Sequence, residues 1–201
     1  MTKRDSIIEE YFAQKKSELQ NQLLLSSSTL VCFSGVPASG KTTLSKVLSQ
    51  KLPLPRIGVD DITKLIDPQR RINREERRNI ILKHLTRFLS NLTQGSALVL
   101  DKGNDRDIFF FESLKRSFTG HIYVINLDVA KPVAYKRIMS RNNWLPNKFI
   151  SNLDNWLNQH RIFKREHKNE ILLSINTSYN FNEKVNKVCK IVENTLNALK
   201  V

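Results

Sequence analysis

The feature that most constrains this chain is a glycine-rich segment of eight residues, Gly35–Thr42, with the sequence G-V-P-A-S-G-K-T. Its glycines, lysine and threonine match the spacing G-x-x-x-x-G-K-[ST], the Walker A pattern of phosphate-binding loops. Glycines let the backbone curl so that successive N–H groups point at phosphate oxygens. A helix that begins at the end of such a loop adds the positive end of its dipole at the same place. The segment therefore predicts a site for nucleotide phosphates.

Both flanks of the segment have the pattern that such a loop requires. Residues 29–34 form a short apolar run rich in strand formers, and residues 43–52 place leucine and valine at helical spacing. In the predicted strand–loop–helix unit, Lys41 would contact the β- and γ-phosphates, and the Thr42 hydroxyl would bind Mg²⁺. The predicted nucleotide-binding residues are Gly35, Val36, Pro37, Ala38, Ser39, Gly40, Lys41, Thr42 and Thr43.

Length and composition indicate one compact domain. The chain has 201 residues, so we expect a single domain over residues 1–201 that is large enough to bury a core. Cys32 and Cys189 are too few for a disulfide framework, and we interpret both as small core residues. No apolar run approaches a membrane span, and Met1–Tyr11 contains no apolar signal core. We therefore expect a cytoplasmic protein that uses no membrane and no obligatory protein partner.

Runs that predict strands alternate with amphipathic segments that predict helices. Residues 1–28 form a predicted N-terminal helical extension, and residues 181–201 form a predicted C-terminal helix. The predicted strands after the first comprise residues 56–59, 97–101, 121–127 and 171–175. Continuous apolar runs suit parallel strands that are covered on both faces. The alternation predicts a three-layer α/β/α fold around the loop.

Candidate catalytic residues follow the second and third predicted strands, since functional residues of open α/β sheets gather at strand ends. We interpret Asp60 as the base that activates an acceptor, and Asp61 as a residue that orients the acceptor or caps the next helix. Asp101 ends the third strand, where Mg²⁺ and the acceptor should meet. In the polar loop that follows, Asn104 and Arg106 either bind the acceptor or help to cap the next helix.

Residues 131–168 form a predicted lid region. Arg137 and Arg141 are four residues apart on a predicted helix and therefore share one face. Phosphoryl transfer spreads negative charge over the equatorial oxygens, so fixed guanidinium groups stabilise it. A second predicted helix covers residues 147–165. We interpret the lid region as a mobile cover over the nucleotide, and the alternative is an ordinary pair of basic helices.

The strongly positive charge leaves several interpretations open. A net charge of +14 favours a polyanionic partner such as nucleic acid, or an anionic membrane surface. Genomic composition bias, together with the cations that a triphosphate site needs, would also produce such a charge. Five arginines lie within residues 70–78, in a predicted helix over residues 67–91. This cluster either holds phosphate or nucleic acid near the acceptor, or it forms a solvated helix face.

With these residues in place, the chain resembles the small P-loop kinases, and among them the branch that contains polynucleotide kinases, zeta-toxin-like kinases and chloramphenicol phosphotransferase-like enzymes. The resemblance extends over residues 29–177. It rests on Gly35–Thr42, on Val59–Asp61, on Val99–Asp101 with Asn104, and on Leu127–Asp128 with Arg137 and Arg141. It implies a five-stranded parallel sheet of order 2-3-1-4-5, with ATP and Mg²⁺ bound at the loop.

The resemblance also implies roles for individual residues. Asp60 takes the position of the general base, Asp101 helps to arrange the metal site together with Thr42, and the two lid arginines contact the donor phosphates. Polynucleotide kinases tend to have an arginine shortly after the aspartate pair that holds the 3′-phosphate of the acceptor. Here only Lys64 can take that place. The resemblance thus supports kinase chemistry more strongly than it supports any one acceptor.

The expected function is an ATP- and Mg²⁺-dependent kinase that transfers the γ-phosphate to a hydroxyl of a small-molecule or nucleotide-like acceptor. Two alternatives stay open. One is a polynucleotide 5′-hydroxyl kinase that acts on RNA or DNA ends, which the basic composition favours. The other is a non-catalytic module in which bound ATP acts as a switch.

Overall fold

The computed structural model of the protein describes residues 2–19, 25–92, 95–140 and 146–201, with the backbone alone for Arg106, Pro146 and Lys148. The strands are β1 (Thr29–Ser34), β2 (Arg56–Gly58), β3 (Ala97–Gly103), β4 (His121–Asp128) and β5 (Ile171–Asn176). The helices are α1 (Lys3–Leu19), α2 (Lys41–Lys51), α3 (Val59–Ile66), α4 (Arg74–Ser90), α5 (Ile108–Ser117), α6 (Lys131–Met139), α7 (Pro146–Ser151), α8 (Leu153–Glu166) and α9 (Phe181–Asn197). Asn104–Arg106 and Lys168–Glu170 form short 3₁₀ turns.

The strands of the described ranges form one five-stranded parallel sheet in the order β2-β3-β1-β4-β5. This order confirms the predicted fold. All six residues of β1 are buried, because β1 lies at the centre of the sheet between two layers of helices. The carboxyl end of β1 leads directly into the glycine-rich loop, so this edge of the sheet carries the candidate site.

Two apolar clusters cover the two faces of the sheet. On one face, α1, α4 and α5 pack through residues such as Ile8, Leu85 and Phe110. On the other face, α2 and α9 pack through residues such as Leu44 and Val188. The three-layer arrangement buries enough apolar surface to explain the continuous apolar runs of the central strands. None of the helices in the described ranges has the length and apolar character needed to cross a bilayer.

Two predicted helix starts were wrong, and in both cases an aspartate is involved. The helix predicted from residue 67 begins at Arg74, because the Asp67 carboxylate accepts hydrogen bonds from the backbone N–H groups of Arg71 (2.7 Å) and Ile72 (3.2 Å). These bonds hold residues 67–72 in a turn. Helix α3, which the capping alternative for the aspartate pair would start near Ile62, begins at Val59. The predicted catalytic aspartates therefore lie in the first turn of a helix.

A third apolar cluster joins the lid region to the loop. Val36 and Ala38 of the loop pack with Ala134 and Ile138 of α6 and with Leu153 of α8. The single second lid helix expected over residues 147–165 is divided into α7 and α8. Helices α6 and α8 of the lid region therefore pack directly against the loop.

Candidate active site

The curl of the loop depends on its two glycines. Gly35 has φ +141°, and a Cβ there would lie 2.6 Å from both the Leu127 carbonyl oxygen and the Ser39 hydroxyl. Gly40 has φ +100°, and a Cβ there would lie 2.8 Å from the ring of Phe181. Positive φ and these close approaches exclude other side chains at both positions. The loop therefore has room for backbone only at these two positions, as the curl of a phosphate-binding loop requires.

The Lys41 side chain spans the loop. Its ammonium donates hydrogen bonds to the carbonyl oxygens of Gly35 and Val36, the second at 2.9 Å. The residue is 9% exposed. An ammonium group held at this position places positive charge at the inner side of the loop, which favours an anion there.

Next to the loop, an arginine that was absent from the predicted site joins two of the predicted carboxylates. The Arg56 guanidinium forms ion pairs with Asp101 and with Asp61, the second at 2.6 Å, and its Nε donates to the Ser45 hydroxyl at 3.0 Å. Asp101 in turn accepts a hydrogen bond of 3.4 Å from the Thr42 hydroxyl. Burial alone would lower the pKa of Arg56, but the two carboxylates outweigh it and raise that pKa. Asp101 and Asp61 are thus both paired with one cation.

Asp60 differs from its neighbours. Its side chain is exposed, and within residues 2–19, 25–92, 95–140 and 146–201 no hydrogen bond or ion pair to its carboxylate is present. It follows Gly58, which pairs in register with Asp101 of β3. A Cβ on Gly58 would lie 2.1 Å from the carboxylate of Asp61, so a glycine at this position allows Asp61 to fold back on Arg56. The pair is thereby divided into one engaged and one accessible carboxylate.

The lid region contacts the loop through Arg137. Its guanidinium donates hydrogen bonds to the carbonyl oxygens of Ala38 (3.2 Å) and Thr177 (2.5 Å). One arginine therefore joins α6, the loop and the turn after β5. Arg141, its predicted companion, lies outside the described residues.

Comparisons with known proteins agree with this architecture. The family model described as "AAA domain" matches residues 30–143, more than half of the chain. The chain belongs to this AAA domain family. The matched range includes the loop, the aspartate pair, Asp101 and the start of the lid region, and it ends before α7.

Kinases are among the proteins similar to this AAA domain chain. An adenylate kinase of Wigglesworthia glossinidia brevipalpis is 32% identical over 117 residues, which are 53% of this chain and 53% of that relative's length. A gluconokinase of Sinorhizobium meliloti has the same fold, with a TM-score of 0.58 and 14% identity over 88% of this chain and 97% of that one. A shikimate kinase of Aquifex aeolicus gives a TM-score of 0.53 and 15% identity over 83% and 97%. These similarities establish a P-loop kinase fold.

The polar loop after β3 contributes its residues unequally in this AAA domain protein. Asn104 is fully buried, and its amide donates to the Phe33 carbonyl oxygen at 3.2 Å. The cap of α5 is Asp107, the next residue of this polar loop, whose carboxylate accepts from the Phe110 N–H at 3.2 Å. The Arg106 side chain lies outside the described atoms. Lys64 is exposed on α3.

A second polar cluster was missed by sequence reasoning. His160 of α8 lies between Asp105 and Asp128, and Lys164 also contacts Asp128. Burial alone would lower the pKa of His160, but the bonds to the two carboxylates outweigh it and raise that pKa. Burial opposes ionisation of Asp128, yet His160 and Lys164 lower its pKa to about 2. One indication existed: His160 lies three residues after Leu157 in the apolar stripe of its helix, where a histidine needs a buried partner.

Proposed function

We propose that this protein is an ATP- and Mg²⁺-dependent kinase that transfers the γ-phosphate to a hydroxyl of a small-molecule or nucleotide-like acceptor. The observation that carries the proposal is the exposed Asp60 carboxylate. It follows β2 next to Asp61, the last member of a chain of hydrogen bonds and ion pairs that begins at the loop. That chain runs from Thr42 through Asp101 and Arg56 to Asp61. A general base must be able to reach the proton that it accepts, and the exposed Asp60 carboxylate is accessible to an acceptor.

The donor side has the groups that a triphosphate needs. The glycine cradle and the buried Lys41 ammonium suit the β- and γ-phosphates. Arg137 already lies against the loop, and with Arg141 it would approach the transferred phosphate from the lid region. Thr42 and Asp101 present hydroxyl and carboxylate oxygens, the hard donors that Mg²⁺ prefers. A bound Mg²⁺ would there neutralise charge that develops on the phosphate oxygens.

The transfer step assigns a different task to each carboxylate. Asp60 would accept the proton of the acceptor hydroxyl as the acceptor oxygen bonds to the γ-phosphorus. The bond from the γ-phosphorus to the β–γ bridging oxygen breaks, and ADP leaves with that oxygen. Asp61 is held by Arg56, so we assign to it the orientation of the acceptor. Lys64, Asp101, Asn104 and Arg106 are the further proposed acceptor-side residues.

A polynucleotide 5′-hydroxyl kinase, of the branch that also holds zeta-toxin-like kinases, is the second candidate. The turn that Asp67 holds in place presents Arg70, Arg71 and Arg74 to solvent. Exposed arginines of this kind bind phosphates of a nucleic acid strand. Arg77 is not among them, because it pairs with Asp67 at 3.4 Å.

The test is product analysis by mass spectrometry. Purified protein, ATP and Mg²⁺ are incubated with a panel of sugars, nucleosides, antibiotics and 5′-hydroxyl oligonucleotides. We expect one class of acceptor to gain the mass of a phosphoryl group, and Asp60→Ala to abolish the gain while ATP binding persists. Glu193→Gln, which changes an exposed carboxylate of α9, is the control and should leave the product unchanged.

The panel separates the candidates. Phosphorylation of oligonucleotides, with steeply salt-dependent binding, would select the polynucleotide kinase. ATP consumption that no acceptor stimulates, with no phosphorylated product, would contradict the kinase proposal and favour the ATP switch. Full transfer by Asp60→Ala would remove Asp60 from the mechanism.

A further inference from the structure

A buried histidine joins three elements of the candidate site. The His160 side chain is 6% exposed; its Nδ1 lies 3.0 Å from a carboxylate oxygen of Asp105, and its Nε2 lies 3.1 Å from one of Asp128. Asp105 belongs to the Asn104–Arg106 turn after β3, and its side chain is wholly buried. Asp128 ends β4. One imidazole thus connects lid helix α8 to two strand ends.

The partners of this imidazole favour its protonated form. An ionised carboxylate only accepts hydrogen bonds, so with two ionised partners both ring nitrogens donate, as in the imidazolium, which agrees with the raised pKa of His160. Lys164 adds a second cation, with its ammonium 2.8 Å and 3.1 Å from the two oxygens of Asp128. Two cations and two carboxylates therefore balance within this His160 network of Asp105, Asp128, His160 and Lys164. Within this network, His160 and Asp105 are buried, whereas Asp128 and Lys164 are partly exposed.

The His160 network continues to the base of the phosphate loop. Asn126 donates from its amide to Asp128 at 3.1 Å, and its carbonyl oxygen accepts from the Ser34 hydroxyl at 2.8 Å. Ser34 is the residue before Gly35. The same lid helix is therefore connected to the donor side through Asp128 and to the turn after β3 through Asp105.

We propose that His160 is a positioning residue that holds the Asn104–Arg106 turn, on the acceptor side of the site, against lid helix α8. The inference rests on the proposed kinase function. Removal of the imidazole takes away the bond between α8 and Asp105, whereas Asp128 keeps its bonds to Asn126 and Lys164. The acceptor side should therefore lose its alignment while the donor side keeps its own.

The structure offers a matched control. His84 is also 6% exposed and also pairs with an aspartate, Asp5, at 2.9 Å. That pair joins α4 to α1 and includes none of the residues assigned to the site. His84→Gln and His160→Gln thus remove equally buried histidines, of which only one touches the Asn104–Arg106 turn.

Two measurements test the proposal together. In His160→Gln we expect amide hydrogen exchange in peptides covering residues 103–107 to accelerate about 10-fold or more, with residues 35–42 unchanged. We expect the acceptor KM to rise, or kcat to fall, by about 10- to 100-fold with the ATP KM unchanged. His84→Gln should change neither. If His160→Gln does not fold, Asp105→Asn replaces it in both measurements. This variant retains an oxygen acceptor for the imidazole, so we expect changes in the same direction that are smaller than those given above.

The outcomes separate this inference from the kinase proposal. Equal exchange at residues 103–107 in both histidine variants, or an ATP KM that rises as much as the acceptor KM, would overturn the positioning role. If the wild-type protein phosphorylates no acceptor, the kinase proposal fails. The exchange experiment then still decides whether His160 holds the turn.

Discussion

The proposed donor and acceptor sides of the candidate site are built in different ways. The proposed donor side centres on one continuous segment, Gly35–Thr42, whose shape depends on its two glycines. The proposed acceptor side contains carboxylates of α3 and β3, and their partners distinguish them: Arg56 pairs with Asp61 and Asp101 but not with Asp60. The shape of the loop thus follows from local spacing, whereas the state of each carboxylate depends on its contacts in the fold.

The largest effect that we expect on the donor side comes from Lys41. Lys41→Ala removes the buried cation that we propose contacts the phosphates, and we expect phosphoryl transfer to fall about 1000-fold, the scale seen when one preorganised electrostatic donor is lost. The measurement is the transfer rate at saturating ATP. Lys46→Ala, on the exposed face of α2, is the control and should retain the wild-type rate. A modest effect of Lys41→Ala would mean that the loop amides alone hold the donor.

The next effect concerns Arg56, the cation that pairs with Asp61 and Asp101. Arg56→Met leaves Asp101, whose side chain is 7% exposed, without its cation. Loss of one member of a buried ion pair should lower the free energy of unfolding by about 3 kcal/mol. Urea unfolding measures this change.

An exposed arginine supplies the comparison for that measurement. Arg87 is 74% exposed and pairs with Glu9 at 3.5 Å, so Arg87→Met should lower the free energy of unfolding by less than about 1 kcal/mol. Equal losses in the two arginine variants would show that the Arg56 pairs contribute no more than a surface contact.

The smallest expected effect is a pH dependence of stability. His160 has a raised pKa because Asp105 and Asp128 outweigh its burial, with Lys164 as the other charged neighbour. Its contribution is complete below the unfolded-state pKa of about 6.5 and is lost as the pH rises through the folded-state pKa. The free energy of unfolding of the wild type should therefore decrease over that interval relative to His160→Gln. Parallel pH profiles of the two proteins would contradict the imidazolium assignment.

The same contrast explains what the sequence could predict. The loop and its flanking strand and helix follow from local spacing, and the strand order followed from a family resemblance. The start of α4 could not be predicted. Residues 67–73 are compatible with a helix, but the hydrogen bonds that the Asp67 carboxylate accepts from Arg71 and Ile72 hold residues 67–72 in a turn instead. Local propensity carries no information on such a competing turn.

Arg56 and His160 were missed for a related reason. Arg56 lies in a strand of three residues, and its partners are 5 and 45 positions away in the chain. His160 is 55 positions from Asp105. For both residues, the sequence indicates only that a polar side chain lies at a position that should be buried. Such a side chain needs a partner, but the sequence does not identify that partner. The carboxylates and their proposed roles were predicted because they follow strands, whereas the pairing of Asp61 and Asp101 with Arg56 needed the structure.

The central claim is that Asp60, and not Asp61, is the base of a phosphoryl transfer. The most direct measurement compares kcat for Asp60→Asn and Asp61→Asn with ATP and acceptor both saturating, since each amide preserves the shape of the side chain it replaces. We expect Asp60→Asn to lower kcat by about 100- to 10,000-fold and Asp61→Asn to lower it far less. A larger loss in Asp61→Asn than in Asp60→Asn would contradict the account.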